Sequence, residues 1–264
     1  MSMPLLRSRE RTGLFGLIAA LAWAQLSSGA ALWGPALLAA LCVWRSWSHA
    51  QPLARMVMLL VSVCLLNRVL LPGWQIWPLI MLLPILATSL VFWRRDRPRL
   101  LEVMRMGRVR ARHAALGVLV GLISSGVLLL WMRWFAPDLR VQAGLMPAWP
   151  ATALLAVILG FALLNSWMEE VMYRGMVQGS LIEAGLSLPI VLTVQAMAFS
   201  AAHYAGGVPN GLVGVGLTLW YGLALGGLRA WSGGLAAAFI AHVTTDVCIG
   251  TVLAFPMVRM EIMP

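Results

Sequence analysis

Three short segments in the C-terminal half of the sequence place residues capable of acid–base chemistry inside stretches that are otherwise apolar. They read Glu169-Glu170-Val171-Met172-Tyr173-Arg174, Phe199-Ser200-Ala201-Ala202-His203 and His242-Val243-Thr244-Thr245-Asp246. Each contains a pair at i, i+4, the spacing that puts two side chains on one helix face. The chain has nine Asp and Glu residues, and three of them, Glu169, Glu170 and Asp246, fall within or at the edge of apolar spans. An ionised carboxylate there costs roughly 2.5–3.5 kcal/mol on insertion scales, so a residue kept there is a functional candidate. His203 and His242 lie in the same region, whereas His49 and His113 sit in polar loops and read as interfacial bystanders.

At ~100° per residue an α-helix sets Glu170 about 40° from Arg174 and Glu169 about 140° from it. Glu170 and Arg174 are therefore expected to pair, leaving Glu169 free to act. The turn signal Gly185-Leu186-Ser187-Leu188-Pro189 lies about midway between Glu170 and His203. An antiparallel helix pair would bring those two to one depth, provided the Glu-bearing helix runs unbroken to about residue 184. His242 is two traverses further on, and no simple register puts it at that depth. A free carboxylate and an imidazole in a dry cavity are what a general base needs to activate water for attack on an amide. His242 and Asp246 present two groups on one face, able to hydrogen-bond a developing oxyanion or to hold a metal. No cofactor is expected, although zinc held by Glu169, His203 and His242 stays open. The competing structural reading, strongest for Glu170–Arg174, is that these residues pair only to fix helix packing.

The elements that position them must be membrane helices. Of the 264 residues 61% are hydrophobic and 11% charged, a balance that excludes an ordinary soluble domain. Apolar stretches near 13–29, 31–46, 54–72, 74–93, 114–135, 149–170, 186–205, 211–230 and 234–257 predict an all-α, polytopic membrane helical bundle of about eight or nine transmembrane helices. Arg7, Arg9 and Arg11 precede the first stretch, which reads as an uncleaved first helix. There is no lysine, and eight of the 19 arginines lie between Arg94 and Arg112, marking a cytoplasmic loop against anionic lipid headgroups rather than a nucleic-acid site. Leu100, Leu101, Val103, Met104, Met106 and Val109 within that loop are spaced for a short helix on the inner surface. Trp44, Trp47, Trp74, Trp77, Trp93, Trp131, Trp134, Trp149, Trp220 and Trp231 recur near span ends as interfacial anchors. Cys42, Cys64 and Cys248 lack CxxC spacing and read as apolar packing.

The three chemical segments, in this order and each in an apolar span, resemble the EExxxR, FxxxH and HxxxN/D motifs of the CPBP intramembrane protease family, which includes CAAX prenyl proteases and bacteriocin-processing proteins. The resemblance covers roughly residues 150–255. It implies that Glu169 activates water with His203, that Arg174 holds Glu170, that Phe199 packs beneath the site, and that His242 with Asp246 stabilises the oxyanion. Many relatives have Asn at the last position; an Asp must be protonated to donate there, or it orients His242 instead. HExxH, GxGD and a serine matched to a histidine are all missing from the sequence, which disfavours other intramembrane protease chemistries.

The expected activity is thus that of an intramembrane endopeptidase hydrolysing a peptide bond of a membrane-associated or exported protein substrate. A non-catalytic membrane scaffold or a transporter is the alternative. The expected division is residues 1–113, N-terminal transmembrane helices with the basic loop, and 114–264, the protease-like core. The expected location is a bacterial inner membrane, because arginine without lysine suits a GC-rich genome. Expected partners are a protein or peptide substrate and membrane lipids, with no nucleic acid.

Overall fold

The computed structural model of the chain describes residues 3–70, 79–107, 109–204 and 207–255, and every regular element among them is helical. In chain order these are α1 (Met3–Gln25), α2 (Trp33–Ser46), α3 (Pro52–Leu70), α4 (Leu79–Arg95), α5 (Arg97–Val103), α6 (Ala111–Phe135), α7 (Arg140–Ala143), α8 (Ala151–Glu169), a π-helical segment (Glu170–Val177), α9 (Gln178–Glu183), α10 (Leu188–Ala201), α11 (Gly211–Ser232) and α12 (Ala236–Ala254). Helix α8, the π segment and α9 run on as one rod of 33 residues, Ala151–Glu183. The Glu-bearing helix therefore continues to the point that the turn argument requires. It stops in a Schellman arrangement, with Gly185 at φ +73° and the Leu186 N–H donating to Leu181 O at 3.2 Å. Ser187 and Pro189 then open α10.

Each of the nine apolar stretches contains a helix, yet among the described residues five helices are long and apolar enough to cross a membrane: Pro52–Leu70, Ala111–Phe135, Ala151–Glu183, Gly211–Ser232 and Ala236–Ala254. The protein is an integral, multi-pass membrane protein. The count of eight or nine is not confirmed: α2 and α10 each have 14 residues, short of the ~20 that cross the hydrocarbon, and α4 is described only from Leu79. In α1 three consecutive charged residues, Arg9, Glu10 and Arg11, occupy the part of the helix before the apolar run.

Close helix contacts are made where glycine removes the side chain. On α6, Gly117 and Gly121 form a small-xxx-small stripe against α12; a Cβ on Gly121 would stand 2.6 Å from Ala241 O, and one on Gly117 2.7 Å from Ala237 O. On α11, Gly222 and Gly226 likewise admit Ala196 and Gln195 of α10, and Gln195 Nε2 donates to Gly222 O at 2.8 Å. One apolar core runs from Leu14, Leu17 and Met56 in the N-terminal helices to Met168, Met176 and Phe199. Polar clips reinforce it: Arg11 Nε donates to Ala184 O at 2.9 Å, and the Leu53 N–H donates to Glu183 Oε2 at 2.9 Å.

The basic loop does hold a short helix. Asp96 accepts from the Arg99 N–H at 3.3 Å and caps α5, whose Leu100 and Val103 are buried against the π segment. Of the anchoring tryptophans, Trp44, Trp134 and Trp220 are strongly exposed. Trp131 is not an anchor: it is buried with Ile249, Val252 and Leu253, on the face of α6 that packs on α12. Trp74 and Trp77 lie outside the described residues, as does the His49 side chain. His113 is not in a loop but in the first turn of α6, buried, with its ring edge-on to Trp231 at 4.5 Å. Cys42, Cys64 and Cys248 are free thiols.

Candidate active site

The polar residues of the three segments converge around the ring of His242 on α12. Its Nδ1–H donates to Glu170 Oε1 at 2.8 Å, and its Nε2 stands 3.4 Å from Glu169 Oε2 and 3.9 Å from Asp246 Oδ1. Both glutamates reach one ring because the chain is π-helical from Glu170. The wider turn, closed by i→i+5 bonds, swings Glu169 toward the face that α-helical spacing reserves for Glu170 and Arg174. Glu169 is thus not set apart from its neighbour. Its Oε2 faces His242 and makes no hydrogen bond among the described residues.

Arg174 Nη1 lies 3.0 Å from Glu170 Oε1, and both side chains are shut off from solvent, at 0% and 1% exposure. The ion pair read from the sequence is present. The contact is close, but its angle falls short of a hydrogen bond, and none of the three guanidinium nitrogens makes one among the described residues. The attraction is therefore charge on charge, supplemented by stacking of the guanidinium 4.4 Å over the Phe199 ring.

Phe199 is the hub between α10 and the rest. Its ring centroid lies 4.9 Å from that of His203, 5.3 Å from Tyr173 and 6.0 Å from His242, all near edge-on. His203 sits in the turn just past α10, partly exposed, and its Nδ1–H donates to Phe199 O at 3.1 Å, which directs Nε2 away from the backbone. Gly207, at φ +86°, covers the ring edge: a Cβ there would stand 3.2 Å from His203 Cδ2. Among the described residues no hydrogen bond or ion pair joins His203 to Glu169.

Asp246 Oδ2 accepts from Asn165 Nδ2 at 3.1 Å and from Ser166 Oγ at 3.0 Å. With two donors on one oxygen, and its other oxygen toward His242, Asp246 is built as an acceptor. Its Oδ1 stands 3.9 Å from His242 Nε2, beyond hydrogen-bond distance. Asn165 and Ser166 were not among the sequence candidates. They stand one turn before Glu169 and Glu170, and the rule that singles out carboxylates in apolar spans singles them out too if extended to uncharged polar groups. Tyr221 on α11 was also not a candidate: its ring stands 5.7 Å from His242, and its hydroxyl shares a 3.0 Å hydrogen bond with Thr245 Oγ1. Thr245 Oγ1 lies in turn 3.3 Å from Gly121 O, which ties the α6–α12 contact to the site. Glu169, His203 and His242 do not converge as a ligand set, and among the described residues no three His, Cys, Asp or Glu side chains could hold a metal ion.

Residues 150–248 match the family model described as Rce1-like, type II CAAX prenyl endopeptidase Rce1-like. No curated protein and no solved structure matches the chain. The matched stretch runs from the start of α8 into α12 and contains every residue of the cluster just described. Residues 150–248 of this membrane protein are thus similar to the Rce1-like type II CAAX prenyl endopeptidases, a family of proteases.

Proposed function

We propose that the chain is an intramembrane endopeptidase that hydrolyses a peptide bond of a membrane-associated or exported protein with water activated at Glu169. The observation that carries this reading is the buried array in which one histidine, His242, is held by Glu170 on one ring nitrogen and faces Glu169 and Asp246 with the other. A bundle needing only packing would fill this volume with apolar groups at lower cost.

In the proposed reaction Glu169 takes a proton from water, and the hydroxide attacks the substrate carbonyl carbon from the open side, where His203 is partly exposed. Nε2 of His203, left available by the Nδ1–H bond to Phe199 O, positions that water. His242 Nε2–H donates to the oxyanion of the tetrahedral intermediate, with Asp246 behind it fixing the ring. Collapse of the intermediate breaks the C–N bond, and the proton held by Glu169 passes to the leaving amine. Glu170 and Arg174 act through His242 and the π segment as positioning residues. This chemistry is complete without a metal.

The arginine-rich, lysine-free composition suits a bacterial inner membrane, where a leader peptide or a C-terminal sorting tail is a better substrate than a prenylated protein. The test is proteomics of membrane and exported fractions from host cells carrying the intact protein or its Glu169→Ala form. A defined set of uncleaved precursors in the variant is expected, and His203→Ala and His242→Ala should accumulate the same set. An unchanged proteome, with the variant expressed and folded, would sink the protease reading in favour of a scaffold or transporter.

A further inference from the structure

A cleft of about 650 Å³ opens where α6 begins and α11 ends, away from the carboxylate–histidine cluster, and Arg105, Arg110, Arg112, His113, Trp231 and Gly233 line it. Both helices are among those able to cross a membrane, so the cleft lies at a membrane boundary. Its walls are built. Arg105 Nη2 donates to Gly233 O at 2.9 Å, the Arg112 guanidinium stands 5.6 Å over the Trp231 ring, and His113 closes the other edge of that ring at 4.5 Å.

Its charge is unbalanced. Among the described residues no carboxylate pairs with Arg105, Arg110 or Arg112, and Glu102, the acid nearest to them in the chain, is engaged by Arg99 at 2.8 Å. Three guanidinium groups around one concavity match the oxygens of a phosphate group through forked, charge-assisted donors. At a membrane boundary phosphate is abundant as the headgroup diester of anionic phospholipid, and basic pockets between spans take such headgroups. Half-exposed Trp231 supplies the amphipathic ring suited to that depth.

We infer that this cleft is a binding site for the phosphate-bearing headgroup of an anionic phospholipid. The site is tied into the fold, because the loop that carries Arg105 also accepts the first N–H groups of α12, from Leu235 to Arg105 O and from Ala236 to Met106 O, both at 3.0 Å.

Native mass spectrometry of the full chain in detergent, titrated with phosphatidylglycerol, phosphatidylcholine or inorganic phosphate, tests the inference. One phosphatidylglycerol should be retained in preference to phosphatidylcholine. At the usual contribution of one arginine near a membrane surface, Arg110→Gln, which removes a side chain that makes no hydrogen bond or ion pair among the described residues, should weaken retention about 5-fold. Arg110→Gln with Arg112→Gln should weaken it about 30-fold, and Arg94→Gln with Arg95→Gln, which removes the same charge from outside the cleft, by no more than about 2-fold. Equal losses from the two double variants, or equal retention of both lipids, would overturn the site. Complete displacement of the lipid by millimolar inorganic phosphate would keep the phosphate site and make free phosphate its ligand.

Discussion

Replacing Arg174 by methionine should destabilise the folded protein severely, because it removes the charge opposite Glu170 in a place that water does not reach. Arg174 is 0% exposed and Glu170 1%, and their charged atoms are 3.0 Å apart. After the substitution Glu170 keeps a single partner, His242 Nδ1 at 2.8 Å. Breaking a buried ion pair from one side costs about 3–5 kcal/mol, and loss of the stacking over Phe199 adds to it. Against a typical total stability of about 5–15 kcal/mol this is a large share. It corresponds to a fall in Tm of roughly 6–20 °C for a chain of this size. The assay is thermal unfolding of the purified protein in detergent, followed through the fluorescence of its 13 tryptophans, together with folded yield from expression. Glu170→Gln combined with Arg174→Met removes both charges and should recover part of the loss, because the single variant suffers chiefly from the charge left behind. Arg174→Lys should fall between, since an ammonium keeps the charge but not the planar stack. If Arg174→Ala or Arg174→Met unfolds at the parental temperature, the ion pair does not hold this segment and the reasoning fails.

Other substitutions probe the remaining links. Gly121→Ala puts a methyl group against Ala241 O and Thr244 at the α6–α12 contact, and should cost about 1–3 kcal/mol and most of the activity by shifting His242 and Asp246. Gly126→Ala, on the same helix with open space around it, should stay within about 0.5 kcal/mol of the parent; equal behaviour of the two would show that the close approach is not needed. Asp246→Asn should lower kcat by about 100-fold or more with little change in KM, since Asp246 is placed to accept and to orient His242; full activity would instead favour a donor at this position. Dialysis against EDTA should leave cleavage unchanged, whereas loss of activity restored by zinc would make Glu169, His203 and His242 metal ligands.

How much could be read without coordinates depended on the distance along the chain over which each feature is decided. The helical segments, the turn at Gly185–Pro189 and the Glu170–Arg174 pair are local, set by apolar periodicity, glycine and proline chemistry and i, i+4 spacing, and all three are present. The number of spans is less legible: hydrophobicity continues through turn residues such as Ser27 and Ser28, where the helix has already stopped, and five helices among the described residues are long and apolar enough to cross.

The amino-acid sequence by itself determined that this is an all-helical membrane protein and which three segments carry polar chemistry, because buried charge in an apolar span is visible residue by residue. Only the tertiary structure decided how those residues are assigned to one another. Glu169 faces His242 because the chain becomes π-helical at Glu170, where α5 packs with Val103 against Gly175. Asp246 is an acceptor because Asn165 and Ser166, some 80 residues earlier, reach it from α8. His242, for which no simple register offered a depth, arrives at the site because α12 lies along both α6 and α8. Contacts of this kind depend on helix register and on how closely two backbones approach, and both are settled by packing between residues far apart in the chain.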